Sequence, residues 1–151
     1  MHFIDTPWPT FDERALPVSM MLLHYTGMQD AAWAIARLSD QEAKVSCHYL
    51  VSEDGKIVRM VDESKRAWHA GSSFWRGITD INSASIGIEI VNPGHELRYR
   101  PFPEEQMSGL VPLVADIVKR HKIPRANVVG HSDVAPARKK DPGELFDWQR
   151  L

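Results

Sequence analysis

The sequence predicts an α/β domain: a single central mixed β-sheet flanked by helices. Short apolar runs rich in β-branched residues recur along the chain, each the length of a strand. They alternate with two helical patterns, one Ala-rich and one long and amphipathic. An Asp-Gly pair joins two of the apolar runs and marks a β-hairpin. The resulting order is β, α, hairpin, loop, β, α, β, loop, which argues for one mixed sheet with helices on its faces.

A chain of 151 residues forms one domain, 1–151, long enough to bury a core. Its 43% hydrophobic and 25% charged residues are ordinary for a globular protein. The net charge of −2 carries no signal for nucleic acid. Cys47 is the sole cysteine, so no intramolecular disulfide forms, which suits a reducing compartment. MHFIDTPWPTFDER at the N-terminus has no basic segment followed by an apolar run, and no stretch nears the roughly 20 apolar residues of a membrane span. The expectation is a cytoplasmic protein, although a chain stripped of an export leader would read the same.

Residues 1–17, with Pro7, Pro9 and Pro17 around Trp8 and Phe11, read as an extended arm packing its aromatics on the body. Ser19 to Thr26 is a buried strand with His24 near its C-terminal end. Asp30 to Leu38 is a helix with Asp30 as N-cap and Ala31, Ile35 and Leu38 on one face. Val45 to Ser52 and Lys56 to Val61 are strands joined through Glu53-Asp54-Gly55. Ser64 to Thr79 is an aromatic-rich loop. Ala84 to Val91 is a strand whose isoleucines 86, 88 and 90 share a face, leaving Glu89 on the other. Pro103 to His121 is the long helix, with acids in its first turn, bases in its last, and Leu110, Leu113, Val114, Ile117 and His121 as the buried stripe. Pro112 should kink or split it. A short strand over Asn127 to Val129 and a final helical turn carrying Leu145, Phe146 and Trp148 complete the chain.

Gly130 to Gly143, GHSDVAPARKKDPG, packs six ionisable residues among two prolines and two glycines and reads as a loop. Two readings of it stand open: a solvated charged loop, or a loop that builds a site. His24 and His131 both directly follow β-type runs, where a side chain is held rigidly at a sheet edge. A catalytic zinc site needs three protein ligands and one open position. Two imidazoles and a carboxylate leave the metal enough Lewis acidity to bring water to a pKa of about 7. Asp141 is the carboxylate best placed to join His131, since a Pro-containing loop can fold back over the residues between them. Glu89 is either on an exposed edge-strand face or a partly buried general acid or base. His2, His95 and His121 read as peripheral. Cys47 and His48 are adjacent on a strand and point to opposite faces, which argues against a cysteine nucleophile with its base.

Together LLHYT, SCHYLVSEDGKIVRMV, AWHAG, SIGIEIVN and GHSDVAPARKKDPG follow one another as in the zinc-dependent N-acetylmuramoyl-L-alanine amidases of type 2, which also include phage amidase-type lysozymes and, more distantly, peptidoglycan recognition proteins. The resemblance runs from about residue 18 to 148 and is closest to the bacterial branch of recycling and envelope amidases. It implies a zinc ion in a surface cleft and hydrolysis of the amide bond between N-acetylmuramic, or anhydro-N-acetylmuramic, acid and L-alanine in peptidoglycan or muropeptides. Carried over, His24, His131 and Asp141 match the Zn2+ ligands, Glu89 the acid that activates water, and Lys139 the lysine that stabilises the oxyanion. Trp68 and His69 match a wall of the substrate groove. Arg76 is a candidate partner for stem-peptide carboxylates, with an ordinary surface cation as the alternative. Asp133 reads as a backbone-orienting residue. A non-catalytic peptidoglycan-binding module of the same fold is the alternative function; such relatives have typically lost a zinc ligand, and here all three positions are intact.

Overall fold

The computed structural model describes residues 1–5 and 10–151. In chain order the elements are β1 (Phe3–Asp5), β2 (Phe11–Glu13), β3 (Met20–Tyr25), α1 (Ala31–Ser39), β4 (Tyr49–Val51), β5 (Ile57–Arg59), β6 (Lys65–Ala67), α2 (Ile81–Ala84), β7 (Ser85–Ile90), α3 (Glu104–His121), β8 (Val128–Gly130) and α4 (His131–Val134), with a 3-10 turn at Trp148–Arg150. Six strands make one mixed sheet in the order β1-β5-β4-β7-β3-β8. The expected hairpin is the antiparallel β4–β5 pair, and β4, β7, β3 and β8 run parallel.

The central strands β3 and β7 are buried on both faces, as parallel strands under helices must be. Period-two alternation then sorts their side chains. Met21, Leu23, Ile86, Ile88 and Ile90 pack against Leu110, Leu113, Val114 and Ile117 of α3 in the main core. Met20 and Leu22 point the other way, toward Ile81, Ala84, Val129 and Val134. His24 continues that second face, as do Ser85, Gly87 and Glu89 from β7. A third cluster joins Ala34 and Leu38 of α1 to Cys47, Leu50, Val58 and Met60. Asp30 caps α1 by accepting the Trp33 N–H at 2.9 Å.

Several sequence expectations need correction. The arm does more than lie extended: β1 joins the main sheet beside β5, and β2 pairs with β6 as a separate two-stranded sheet. Trp8 lies outside the described residues. Phe11 is exposed rather than packed into the core, and the β2–β6 pair carries the cross-strand ion pairs Asp12–Arg66 (3.1 Å) and Glu13–Lys65 (2.6 Å). The loop expected over Ser64 to Thr79 therefore contains a strand. Residues 45–48 fall outside β4: the Ser46 N–H donates to the Trp68 carbonyl, the Cys47 carbonyl accepts from Val61, and His48 bonds both Gly87 and Met60. The segment expected to be pure loop after β8 begins with the helical turn α4, where the Asp133 carboxylate accepts the Gly130 N–H at 2.8 Å.

Helix α3 runs unbroken through Pro112. Pro112 and Ser108, one turn earlier, are both exposed, so the carbonyl that loses its helical partner faces water. His121 leaves the apolar stripe to hydrogen-bond Glu63 at 2.6 Å. The Glu53-Asp54-Gly55 turn packs on α3, where a side chain at Gly109 would collide with the Gly55 carbonyl oxygen.

That contact sets helix propensity against packing. Alanine is the better helix former by about 1 kcal/mol, yet Gly109→Ala should destabilise the fold by about 1–3 kcal/mol through overpacking on the hairpin. Urea unfolding measures the difference; a raised midpoint would show that the hairpin yields freely.

Candidate metal centre and cleft

Strands β3, β7 and β8 are parallel neighbours, so their C-terminal ends lie together, where ligands bind in open α/β sheets. His24 is the fifth residue of β3, Glu89 the fifth of β7, and His131 follows β8 directly. His24 and Glu89 are register partners across the β3–β7 ladder. The chain after α4 then returns: the Ser132 N–H donates to the Asp141 carbonyl at 3.0 Å, which delivers the Asp141 carboxylate to the two histidines. Gly130 permits this return, because a Cβ there would sit 2.7 Å from Pro142 Cδ.

The result is three buried side chains sharing one point. His24 Nδ1 lies 3.0 Å from His131 Nδ1 and 2.9 Å from Asp141 Oδ2, and His131 Nδ1 lies 3.2 Å from the same oxygen. These spacings approach the edge of roughly 3.3 Å expected for a tetrahedral zinc site with bonds near 2.0 Å. His131 Nε2 is 2.8 Å from the Ala70 carbonyl, an acceptor only, so this nitrogen carries the proton and Nδ1 presents a lone pair. Burial, the largest effect, lowers the His24 pKa to about 4, outweighing the pull of the Asp141 carboxylate, so the ring is neutral at pH 7. Burial tends to raise the Asp141 pKa, but the adjoining His131 and His24 rings hold the carboxyl well below the usual range. Two neutral imidazoles and a carboxylate are a donor set that fits Zn2+, and among the described residues this is the cluster able to hold a metal.

The centre forms the floor of a cleft of about 410 Å³. Glu89 and the exposed Lys139 line the same cleft. Glu89 Oε2 is shielded from solvent and has no hydrogen-bond partner. Burial, then the charge of Asp141, pushes the Glu89 carboxyl well above its ordinary value, and Lys139 opposes the shift.

The other candidates divide. Trp68 lines the cleft and donates its indole N–H to Asp12 at 2.8 Å. His69 also lines the cleft; it is only 8% exposed, and its Nδ1 lies 2.9 Å from His24 Nε2, behind the His24 ring. Arg76 is not among the cleft residues: it occupies a positive-φ turn position with its guanidinium 5.5 Å from the Trp75 ring centre. Arg138 reaches back to the Ala70 and Ser72 carbonyls and ties the two loops together. Cys47 is fully buried and burial raises its thiol pKa, while both nitrogens of His48 face other partners, Gly87 N–H and Lys65 carbonyl; no nucleophile pair exists there. Three cleft features escaped the sequence reading. His95, read as peripheral, stacks on Tyr99 at 4.2 Å and bonds Tyr25 and Glu144 on the cleft rim. Arg37 lines the rim from α1. The Ala70 carbonyl has no side-chain signal at all.

Fold and site together define a mixed α/β domain with a two-histidine, one-carboxylate cluster able to hold a metal at the carboxyl ends of its parallel strands. Residues 14–144 match the Amidase_2 family, N-acetylmuramoyl-L-alanine amidase, and the chain belongs to that family. It is 43% identical over 146 residues to the N-acetylmuramoyl-L-alanine amidase AmiD of Escherichia coli K12, covering 89% of this chain and 52% of that protein. It is 32% identical to the 1,6-anhydro-N-acetylmuramyl-L-alanine amidase AmpD of Haemophilus influenzae, covering 94% of this chain and 86% of that protein. Among solved structures, E. coli AmiD in complex with the substrate anhydro-N-acetylmuramic acid-L-Ala-D-gamma-Glu-L-Lys superposes with a TM-score of 0.82 at 40% identity, covering 92% of this chain and 58% of that one. The chain thus spans about half the length of AmiD.

Glu89 gives the site a measurable pH signature. The folded metal-free chain holds the Glu89 proton more tightly than the unfolded chain does, so stability falls as pH rises from the ordinary 4.5 through the raised folded value. Glu89→Gln removes that loss. In chelator, the variant should be more stable than wild type at pH 8, by about 1–3 kcal/mol for relief of an unsatisfied buried carboxylate, and equal to it near pH 4. Urea midpoints at the two pH values read the effect, and a variant less stable at pH 8 would reject the assignment.

Proposed function

We propose that this chain is a zinc amidase that hydrolyses the amide bond between N-acetylmuramic acid, in its anhydro form, and L-alanine. The observation that carries this reading is the juxtaposition of the His24–His131–Asp141 donor set with an unpartnered, buried Glu89 oxygen in one cleft. A peptidoglycan-binding module has no need of a buried carboxylate held unsatisfied beside a metal centre.

In this reading His24, His131 and Asp141 hold the ion. Bound there, Zn2+ would supply the Lewis acidity needed for water to attack the scissile carbonyl at neutral pH. Glu89 takes the proton of the attacking water on its free oxygen and passes it to the departing alanine nitrogen. Lys139 stands on the exposed side of the cleft with its ammonium available to the oxyanion, where fixed charge contributes most to lowering the barrier. Trp68 offers an indole face to the substrate from the cleft wall.

The AmpD relative is named for a 1,6-anhydromuramyl substrate, and the AmiD structure holds an anhydro-muropeptide. Both support a soluble anhydro-muropeptide, the form handled in cytoplasmic recycling, over intact wall. No helix among the described residues is long and apolar enough to cross a membrane.

Two measurements test the proposal. Asp141→Ala should lose zinc and activity together, whereas Glu89→Gln should keep zinc and lose turnover by roughly 10²-fold or more. Full activity without metal would sink the mechanism, and zinc loss in Glu89→Gln would move that residue into the metal shell. Release of free peptide from soluble anhydro-muropeptide should far exceed release from insoluble sacculi; the reverse order would overturn the substrate assignment.

A further inference from the structure

We propose that His69 is a positioning residue that holds His24 in the tautomer able to bind metal. The inference rests on the zinc reading above, and its first test needs no metal.

A neutral histidine carries one ring proton, and a metal can bind only the nitrogen without it. For His24 the nitrogen facing His131 and Asp141 is Nδ1, so the proton must reside on Nε2. The hydrogen bonds behind the ring settle this in sequence. The Ser85 hydroxyl donates its only proton to the Ile81 carbonyl at 2.6 Å. Ser85 Oγ can then only accept from His69 Nε2, 3.3 Å away. His69 therefore carries its proton on Nε2 and presents a lone pair at Nδ1. That lone pair lies 2.9 Å from His24 Nε2, which must donate. His24 Nδ1 is left bare, pointing at His131 and Asp141. The chain of three bonds transmits the fixed orientation of a helix α2 carbonyl to the ligand.

The surroundings hold His69 in place for this task. The Asn82 side-chain oxygen accepts the backbone N–H groups of both His69 (3.0 Å) and Ala70 (2.8 Å). Gly87 leaves room for the ring, since a Cβ there would lie 2.6 Å from it. Its own N–H is taken by His48 Nδ1 at 2.9 Å. The next residue repeats the function by other means: the Ala70 carbonyl fixes the His131 proton on Nε2. Consecutive residues of the AWHAG segment thus set both imidazoles, and three lone pairs converge where a cation would sit.

Long-range 1H–15N correlation spectra of the metal-free chain, at a pH where the rings are neutral, should show His24 protonated at Nε2 in wild type and a mixture of tautomers in His69→Ala. Zinc affinity by chelator competition should fall roughly 10- to 100-fold in His69→Ala. In His69→Asn, the amide oxygen takes the place of Nδ1 and accepts the same proton, so affinity should return to within about threefold of wild type. Urea midpoints of the metal-free variants separate loss of fold from loss of the bond. Protonation of wild-type His24 at Nδ1, wild-type zinc affinity in His69→Ala, or an equal loss in a folded His69→Asn would each overturn the proposal. A wild-type chain with His24 protonated at Nε2 but without zinc affinity would remove the metal reading while upholding the tautomer assignment.

Discussion

The parallel register of β3 against β7 is the constraint from which the site follows. His24 pairs with Glu89, Leu22 with Gly87 and Met20 with Ser85. Because successive side chains alternate, each of these pairs lies on one face while Met21, Leu23 and the three isoleucines of β7 fill the core under α3. A slip of one residue would turn His24 and Glu89 into that apolar core and expose its isoleucines, so hydrophobic burial enforces the register on which the chemistry depends. The Ser85-Gly87-Glu89 series divides the labour along the strand: a hydroxyl to anchor His69, a missing side chain to admit its ring, and a carboxylate at the cleft.

This face concentrates polar groups where burial penalises them. The imidazoles of His24, His48, His69 and His131 and the Asp141 carboxylate lie at or below 8% exposure, and Glu89 adds an unsatisfied oxygen. Each such group costs stability unless it is bonded. The structure meets most of that cost with hydrogen bonds of fixed direction: Ala70 and Ser85 to the histidine rings, and Asn82 to the backbone beneath them. The larger apolar core, built from three β7 isoleucines and the α3 stripe, lies on the opposite face, while a smaller apolar cluster around Met20, Leu22 and Ile81 shares the polar face.

What the sequence made legible is the period-two and period-3.6 part of the molecule. β3, β7, the β4–β5 hairpin, α1 and α3 all bury apolar stripes that their spacing announces. The illegible parts depend on partners remote in sequence. β6 reads Lys-Arg-Ala and has no apolar alternation; it is a strand because Asp12 and Glu13 lie opposite its cations. Ser46-Cys47-His48 has the composition of a strand, but its backbone bonds are divided among three segments: Ser46 and His48 donate to the Trp68 and Gly87 carbonyls, and the Cys47 and His48 carbonyls accept from Val61 and Met60. At the site, His24, His131 and Asp141 could be placed together through family likeness, whereas spacing left the charged loop ambiguous. His69 was legible as a residue near the site and illegible in position: nothing in AWHAG tells that the ring turns inward behind His24. His95 was missed because its place on the rim is set by stacking on Tyr99, four residues later across a glycine-led turn.

The small β2–β6 sheet gives the N-terminal arm a part in this arrangement. β6 ends at Ala67, and the next residues are Trp68, His69 and Ala70. Arg66 bonds Asp12 on the arm and Asp80, the N-cap of α2, and Trp68 bonds Asp12 through its indole. Ser46, whose hydroxyl donates to the Thr10 carbonyl, accepts the Trp68 N–H and so links the same two segments a second time. Arg14 adds a third link by reaching the carbonyls of Glu63 and Asn82. Individually the exposed ion pairs among them contribute little. Collectively they tie down the segment from which His69 and the Ala70 carbonyl bond the His24 and His131 rings, so a positional error there would be passed on to the candidate metal ligands. The arm's charged residues therefore bear on the centre through geometry, by fixing the backbone from which His69 and Ala70 act, rather than through any charge of their own.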